Sequence, residues 1–126
     1  MLAVPIIEEE LYKKFDVIKI VHELNNFVLY TSISPIPYCK NFSLDLHAKR
    51  AGSIFEFLRY FLEWFIVHPK SPLDIVESCN SCLSYDNGFQ QKVVEVTLGP
   101  YFSIYSPQDI KLVELTLRTN SYWSLY

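Results

Sequence analysis

Glycine is scarce in this sequence: only Gly52, Gly88 and Gly99 occur in 126 residues. No strand-to-helix turn of the G-x-G-x-x-G or Walker type can be built from them, which excludes the phosphate-gripping half of an α/β nucleotide site. Basic clusters are also missing, since no Lys/Arg run is longer than Lys13-Lys14 or Lys49-Arg50 and the formal net charge is −3. That gives no electrostatic footprint for nucleic acid or an anionic membrane surface. Cysteine is limited to Cys39, Cys79 and Cys82, an odd number. The opening MLAVPIIEEE has no basic n-region and no apolar run of signal-peptide length, so a reducing, cytoplasmic location is expected. Cys79 and Cys82 form a C-x-x-C, but zinc would want a second close ligand pair that Cys39, His47 and His68 do not supply. No metal is therefore expected. A redox pair and two small residues on one helix face are the alternatives for the C-x-x-C.

Hydrophobic residues make up 50% of the chain, aromatics 16% and charged residues 20%. This is enough apolar material for one folded domain over residues 1–126. The greasiest stretch, Ile54 to Val67, carries Glu56, Arg59 and Glu63 at spacings of three and four. They form a polar stripe along an amphipathic helix, and a bilayer span would need about 20 mostly uncharged residues. Phe55, Phe57, Leu58, Phe61, Leu62, Trp64, Phe65 and Ile66 cover most of the remaining circumference, more than one neighbour requires. The surplus points to a partner surface, with Phe55, Phe57, Phe61, Trp64 and Phe65 as its contacts; internal burial is the alternative.

Leu2–Ile6 reads as an edge strand or a strand leaving the sheet, because Pro5 interrupts it. Glu8–Phe15 is predicted as a short helix with acidic residues first and Lys13-Lys14 last, matching the helix dipole. Val17–Leu24 and Phe27–Ser32 read as a hairpin turned at Asn25-Asn26, and Ser34-Pro35-Ile36-Pro37 as an extended connection. Phe42–Ala48 alternates like a strand, and Ala51-Gly52-Ser53 leads into the greasy helix. Ser71, Pro72 and Asp74 give the start of a helix running to Tyr85, stopped at Asp86-Asn87-Gly88. Gln91–Leu98 and Tyr101–Tyr105 read as strands. Ser106-Pro107 repeats the cap-then-proline signal before a helix through Thr119, and the aromatic tail 122–126 is expected to pack. This order predicts an α/β fold: a mixed sheet with flanking helices.

Several stretches then resemble one family in order and spacing. Leu2-Ala3-Val4-Pro5-Ile6, Val17-Ile18-Lys19-Ile20-Val21 and Leu29-Tyr30-Thr31-Ser32-Ile33-Ser34-Pro35-Ile36-Pro37-Tyr38 come first. Arg50-Ala51-Gly52, Ser71-Pro72-Leu73-Asp74 with Glu77, Gly88 before a strand, and Ser106-Pro107-Gln108-Asp109-Ile110 follow. Together they are similar to the second half of the 3-deoxy-manno-octulosonate cytidylyltransferases, the CMP-Kdo synthetases. The resemblance implies the second half of a Rossmann-like nucleotide-diphospho-sugar transferase fold. It also implies a reaction in which a Kdo hydroxyl attacks the α-phosphorus of CTP with magnesium present, giving CMP-Kdo for lipopolysaccharide precursors. Magnesium and CTP belong to the complete enzyme. For this chain no cofactor and no catalytic residue is expected, because the family's nucleotide-binding first half has no counterpart here.

Carried over position by position, the family's second magnesium-binding Asp falls on Tyr105, a poor ligand for a hard cation. Its Phe-Ser-Arg reads Thr31-Ser32-Ile33, its Tyr-x-Tyr-Arg reads His47-Ala48-Lys49-Arg50, and its Glu-Gln-Leu-Arg reads Asn80-Ser81-Cys82-Leu83. Ser32, Arg50 and Glu77 remain as the sugar-binding candidates; the plainer readings are a strand-end hydroxyl, a surface charge and a solvated helical residue. Two functions stay open. One is a truncated cytidylyltransferase half, inactive alone, that pairs as a homodimer or with a catalytic-half chain and takes a sugar acid. The other is a pseudoenzyme, a catalytically dead dimerisation and interaction module.

Overall fold

The computed structural model describes residues 1–52, 54–96 and 107–120. Five short strands form one mixed sheet in the order β3-β2-β4-β1-β5. Strand β1 is Leu2–Pro5, β2 Lys19–His22, β3 Val28–Ser32, β4 Lys49–Ala51 and β5 Val94–Glu95. Among the described strands only β1 and β5 run parallel; the other pairs are antiparallel. The helices are α1 (Glu9–Lys13), α2 (Arg59–Phe65), α3 (Pro72–Glu77), α4 (Ser81–Asp86) and α5 (Pro107–Thr119). The predicted mixed α/β sheet is thus present.

The hairpin forms as expected: Asn26 takes φ 69°, the turn conformation that asparagine tolerates, and β2 and β3 pair from Lys19↔Ser32 to His22↔Val28. Helix α1 carries Glu9 and Glu10 in its first turn and Lys13 in its last, with a 2.6 Å Glu9–Lys13 ion pair. Ser71 caps α3 by accepting from the Asp74 N–H at 3.2 Å, with Pro72 behind it. Gly88, at φ 76°, stops α4, and the Phe89 N–H reaches back to the Ser84 carbonyl at 2.9 Å. Gly52 is required by close approach, because a Cβ there would lie 3.0 Å from the Leu2 Cβ.

Four expectations are corrected. Strand β1 is interior, between β4 and β5. Pro5 is tolerated because its donor-free nitrogen lies at the strand's end, past the two-residue ladder with β5. Phe42–Ala48 is not a strand but a 3-10 turn over Leu44–Leu46, after which the chain joins the sheet as β4. Ser43 takes the Asp45 N–H at 3.2 Å and His47 turns left-handed at φ 49°, so local hydrogen bonding overrides the alternation. The greasy helix starts only at Arg59. Ile54 gives its carbonyl to the Leu2 N–H at 3.2 Å rather than to a helical turn, and 54–58 are exposed non-helical residues, Glu56 among them. Finally, the helix expected from Pro72 to Tyr85 breaks at Ser78, which adopts φ 49°.

The core lies in two patches: Ala3, Ile20 and Val93 on the sheet, and Ile6, Tyr12 and Ala48 beside α1. Of the predicted strand Gln91–Leu98, the ladder holds only Val94–Glu95, with a bridge from Lys92 to Phe27. Residues 97 and 98, the strand Tyr101–Tyr105, the Ser106 cap and the tail 122–126 lie outside the described residues.

Candidate functional site

The end of β3 and the end of α3 build the most chemically organised cluster. Ser32 and Glu77 are 45 residues apart, yet the Ser32 hydroxyl donates to Glu77 Oε2 at 2.6 Å. The Ile33 N–H donates to the same oxygen at 3.2 Å, and the Tyr30 hydroxyl donates to Oε1 at 2.6 Å. Tyr30 and Ser32 alternate along the strand and so face one side of the sheet. The Ser34 N–H closes the loop onto the Ser32 oxygen at 3.0 Å.

Burial pushes the Glu77 carboxyl pKa up, but the hydrogen bonds from Ser32, Tyr30 and Ile33 outweigh it and hold the group below its usual range. The same contact pushes the Tyr30 phenol up to about 12, with burial adding to it. Glu77 is therefore an ionised acceptor with Oε2 doubly bonded and Oε1 singly bonded. A carboxylate in this state offers its remaining acceptor position to a hydroxyl or another N–H or O–H donor, and it repels an anion.

Lys19, set between Ile18 and Ile20, reads in the sequence as the solvated position of an alternating strand, and its role emerges only in the structure. It pairs across the sheet with Ser32 on β3 and with Arg50 on β4, so the three residues form one row. Lys19 is fully buried, and its ammonium donates to the carbonyls of Lys14 at 2.6 Å, Val17 at 2.9 Å and Ile33 at 2.5 Å. Burial lowers its pKa against the opposing pull of Asp16. Arg50 is half-buried and lies two strands from Ser32, with β2 between them. The structure thus joins Ser32 directly to Glu77 and sets Arg50 on the same row without such a contact. Tyr105 lies outside the described residues.

On the opposite face, Thr31 Oγ1 lies 3.5 Å from the Cys79 sulfur and 3.7 Å from that of Cys82. The C-x-x-C is not within one helix, since Cys79 precedes α4. All three cysteines are free thiols, and burial pushes the Cys82 thiol up to about 12, which disfavours the reactive thiolate. Among the described residues no three His, Cys, Asp or Glu side chains gather as a metal-binding group. A further polar cluster joins strands: the Lys49 ammonium donates to Glu95 Oε2 at 2.6 Å and to His22 Nε2 at 2.9 Å.

The aromatic segment behaves differently from a uniform contact face. Phe61 is buried inside the chain, where its ring meets Phe57, Trp64, Phe65 and, edge-on at 5.0 Å, Phe89. Trp64 and Phe65 are half-buried around it, and Phe55 and Phe57 stay exposed. Beside them, a cavity of about 310 Å³ opens between this segment and residues 89–94. No described helix is long and apolar enough to cross a membrane.

No protein-family model matches the chain. The 3-deoxy-manno-octulosonate cytidylyltransferase of Syntrophotalea carbinolica is 30% identical, over 93% of this chain and 50% of that protein. The enzyme of the same name from Thermodesulfovibrio yellowstonii is 30% identical over 95% of this chain and 49% of its own length. A solved CMP:2-keto-3-deoxy-manno-octonic acid synthetase, in complex with CTP, superposes with a TM-score of 0.80 at 23% identity, covering 94% of this chain and 48% of that one. The chain thus spans about half the length of the relatives it matches. In sequence and in fold it is a relative of the 3-deoxy-manno-octulosonate cytidylyltransferases.

Proposed function

We propose that this chain is the sugar-acid-facing half of a cytidylyltransferase-like assembly and transfers no nucleotidyl group on its own. The observation that carries the reading is the Glu77 carboxylate, held ionised by Ser32, Tyr30 and Ile33 with an acceptor position left on Oε1. Such a group orients a sugar hydroxyl. Arg50, on the row that contains Ser32, supplies a positive charge for the carboxylate of a sugar acid. In a complete enzyme, CTP and magnesium would supply the electrophilic phosphorus. The scarcity of glycine supports placing that part of the chemistry outside these 126 residues.

The second reading, a non-catalytic module that pairs with a second copy of itself, is favoured by the exposed Phe55, Phe57 and Leu58 beside the 310 Å³ cavity. One experiment separates the two. The purified chain is titrated calorimetrically with Kdo and, separately, with CTP plus magnesium, and its mass is measured by light scattering. Kdo binding that is lost in Glu77→Ala, with silence toward CTP, is the expected result. Binding of CTP with magnesium refutes the first reading. Silence toward both from a clean dimer establishes the second.

A further inference from the structure

A fully buried ammonium whose three donors all go to backbone carbonyls is an expensive arrangement, because burial costs several kcal/mol unless every donor is matched. One of those carbonyls belongs to Ile33. Ile33 is also the residue whose N–H holds Glu77 Oε2. The next residue, Ser34, donates its N–H to the Ser32 oxygen, and the Ser32 hydroxyl donates to Glu77. Lys19 and Glu77 therefore grip the same backbone residue from opposite ends, without touching each other. The other two carbonyls, Lys14 and Val17, lie on the segment between α1 and β2, so the ammonium ties that segment to the end of β3.

We propose that Lys19 is a positioning residue for Glu77: its ammonium fixes Ile33, and with it the N–H and hydroxyl donors that aim the Glu77 carboxylate. Its importance for ligand binding rests on reading Glu77 as the ligand-facing group. Its geometric content does not, and the test below uses no ligand. Without the ammonium, the Ile33 carbonyl loses its donor and residues 33–34 gain freedom to leave the β3 end. The Tyr30–Glu77 contact then loosens with them.

Tyr30 reports the result. Its phenol is raised to about 12, first by the bond to Glu77 and then by burial, with Cys82 and Asp86 adding charge repulsion. Simply deleting a positive charge from the protein would raise a phenol's pKa further. Release of Glu77 lowers it, so the sign of the change separates positioning from a through-space effect. Lys19→Met and Lys19→Gln are made in the full chain. Tyrosine Cζ carbons are followed by NMR against pH, the Tyr30 signal being assigned with Tyr30→Phe.

A folded Lys19→Met protein is expected to titrate Tyr30 one to two pH units lower, toward the ordinary value of about 10. Lys19→Gln, which keeps N–H donors, is expected to fall between it and the parent chain. An unchanged or raised Tyr30 midpoint in either folded variant overturns the proposal. If neither variant folds, Lys19 is a folding determinant rather than a positioning residue, and the proposal is equally overturned. Absence of Kdo binding by the parent chain would refute the sugar-acid reading while leaving the Tyr30 result intact.

Discussion

Replacing Glu77 with alanine removes the acceptor of three hydrogen bonds at once. Bonds to a charged acceptor contribute about 1.5–3 kcal/mol each when buried. They are not additive here, and the carboxylate is only half-buried, so solvent recovers part of the loss. Ser32 and Thr31 are buried at the same strand end, which leaves the Ser32 hydroxyl without that partner. The expected cost of Glu77→Ala is therefore about 3 kcal/mol, a sizeable part of the roughly 6–19 kcal/mol available to a chain of this length. Glu77→Gln should cost only about 1 kcal/mol. Its amide oxygen can face Ser32 and Ile33 while its NH2 donates to the Tyr30 oxygen. Urea denaturation followed by circular dichroism measures both, with a midpoint decrease for alanine of about 1.5–2 M at ordinary slopes. The acid dependence gives a second check. Because the folded-state pKa of Glu77 is depressed, its contribution is fully present above the unfolded value near 4.5 and is lost as pH falls through the folded value. The glutamine variant should lack that part of the acid destabilisation. A Glu77→Ala protein within about 0.5 kcal/mol of the parent would refute the reasoning, since it would mean that water replaces all three donors at no cost.

Phe61→Ala should destabilise by about 3–5 kcal/mol, because the ring is the buried member of the cluster that joins α2 to Phe89; Phe55→Ala, at an exposed ring, should stay within about 1 kcal/mol in the same denaturation assay. Under native conditions a thiol reagent should label the half-buried Cys39 well before Cys79 and Cys82; rapid labelling of Cys82 by mass spectrometry would contradict its burial and its raised pKa. Gly88→Ala should cost about 1–2 kcal/mol from its positive φ alone, as nothing crowds a Cβ there, and a neutral result in thermal denaturation would refute the left-handed stop.

The parts of this fold that the sequence determined are those in which a residue acts on its own neighbours. Asn26 turns the hairpin, Ser71 and Pro72 start α3, Gly88 ends α4, and the charges of α1 match its dipole; each needs only local backbone chemistry. Two of the misreadings arose where distant chain competes for the same groups. Ile54 stays out of the helix because its carbonyl is claimed by Leu2, far away in sequence, although the run to Val67 has helical apolar content. β1 becomes interior because β5 arrives from residue 94, which no pattern in Leu2–Pro5 could announce.

The candidate site divides in the same way. Ser32 and Glu77 were legible as residue types at family-like positions, but their 2.6 Å contact depends on the end of α3 reaching the end of β3. Tyr30 and Lys19 acquired their roles only there. A lysine in a strand reads as solvated until tertiary structure closes over it, and only the folded chain decides whether three carbonyls converge on its ammonium. Local propensity is encoded over a few residues, whereas the burial of a charge is a property of everything that packs around it.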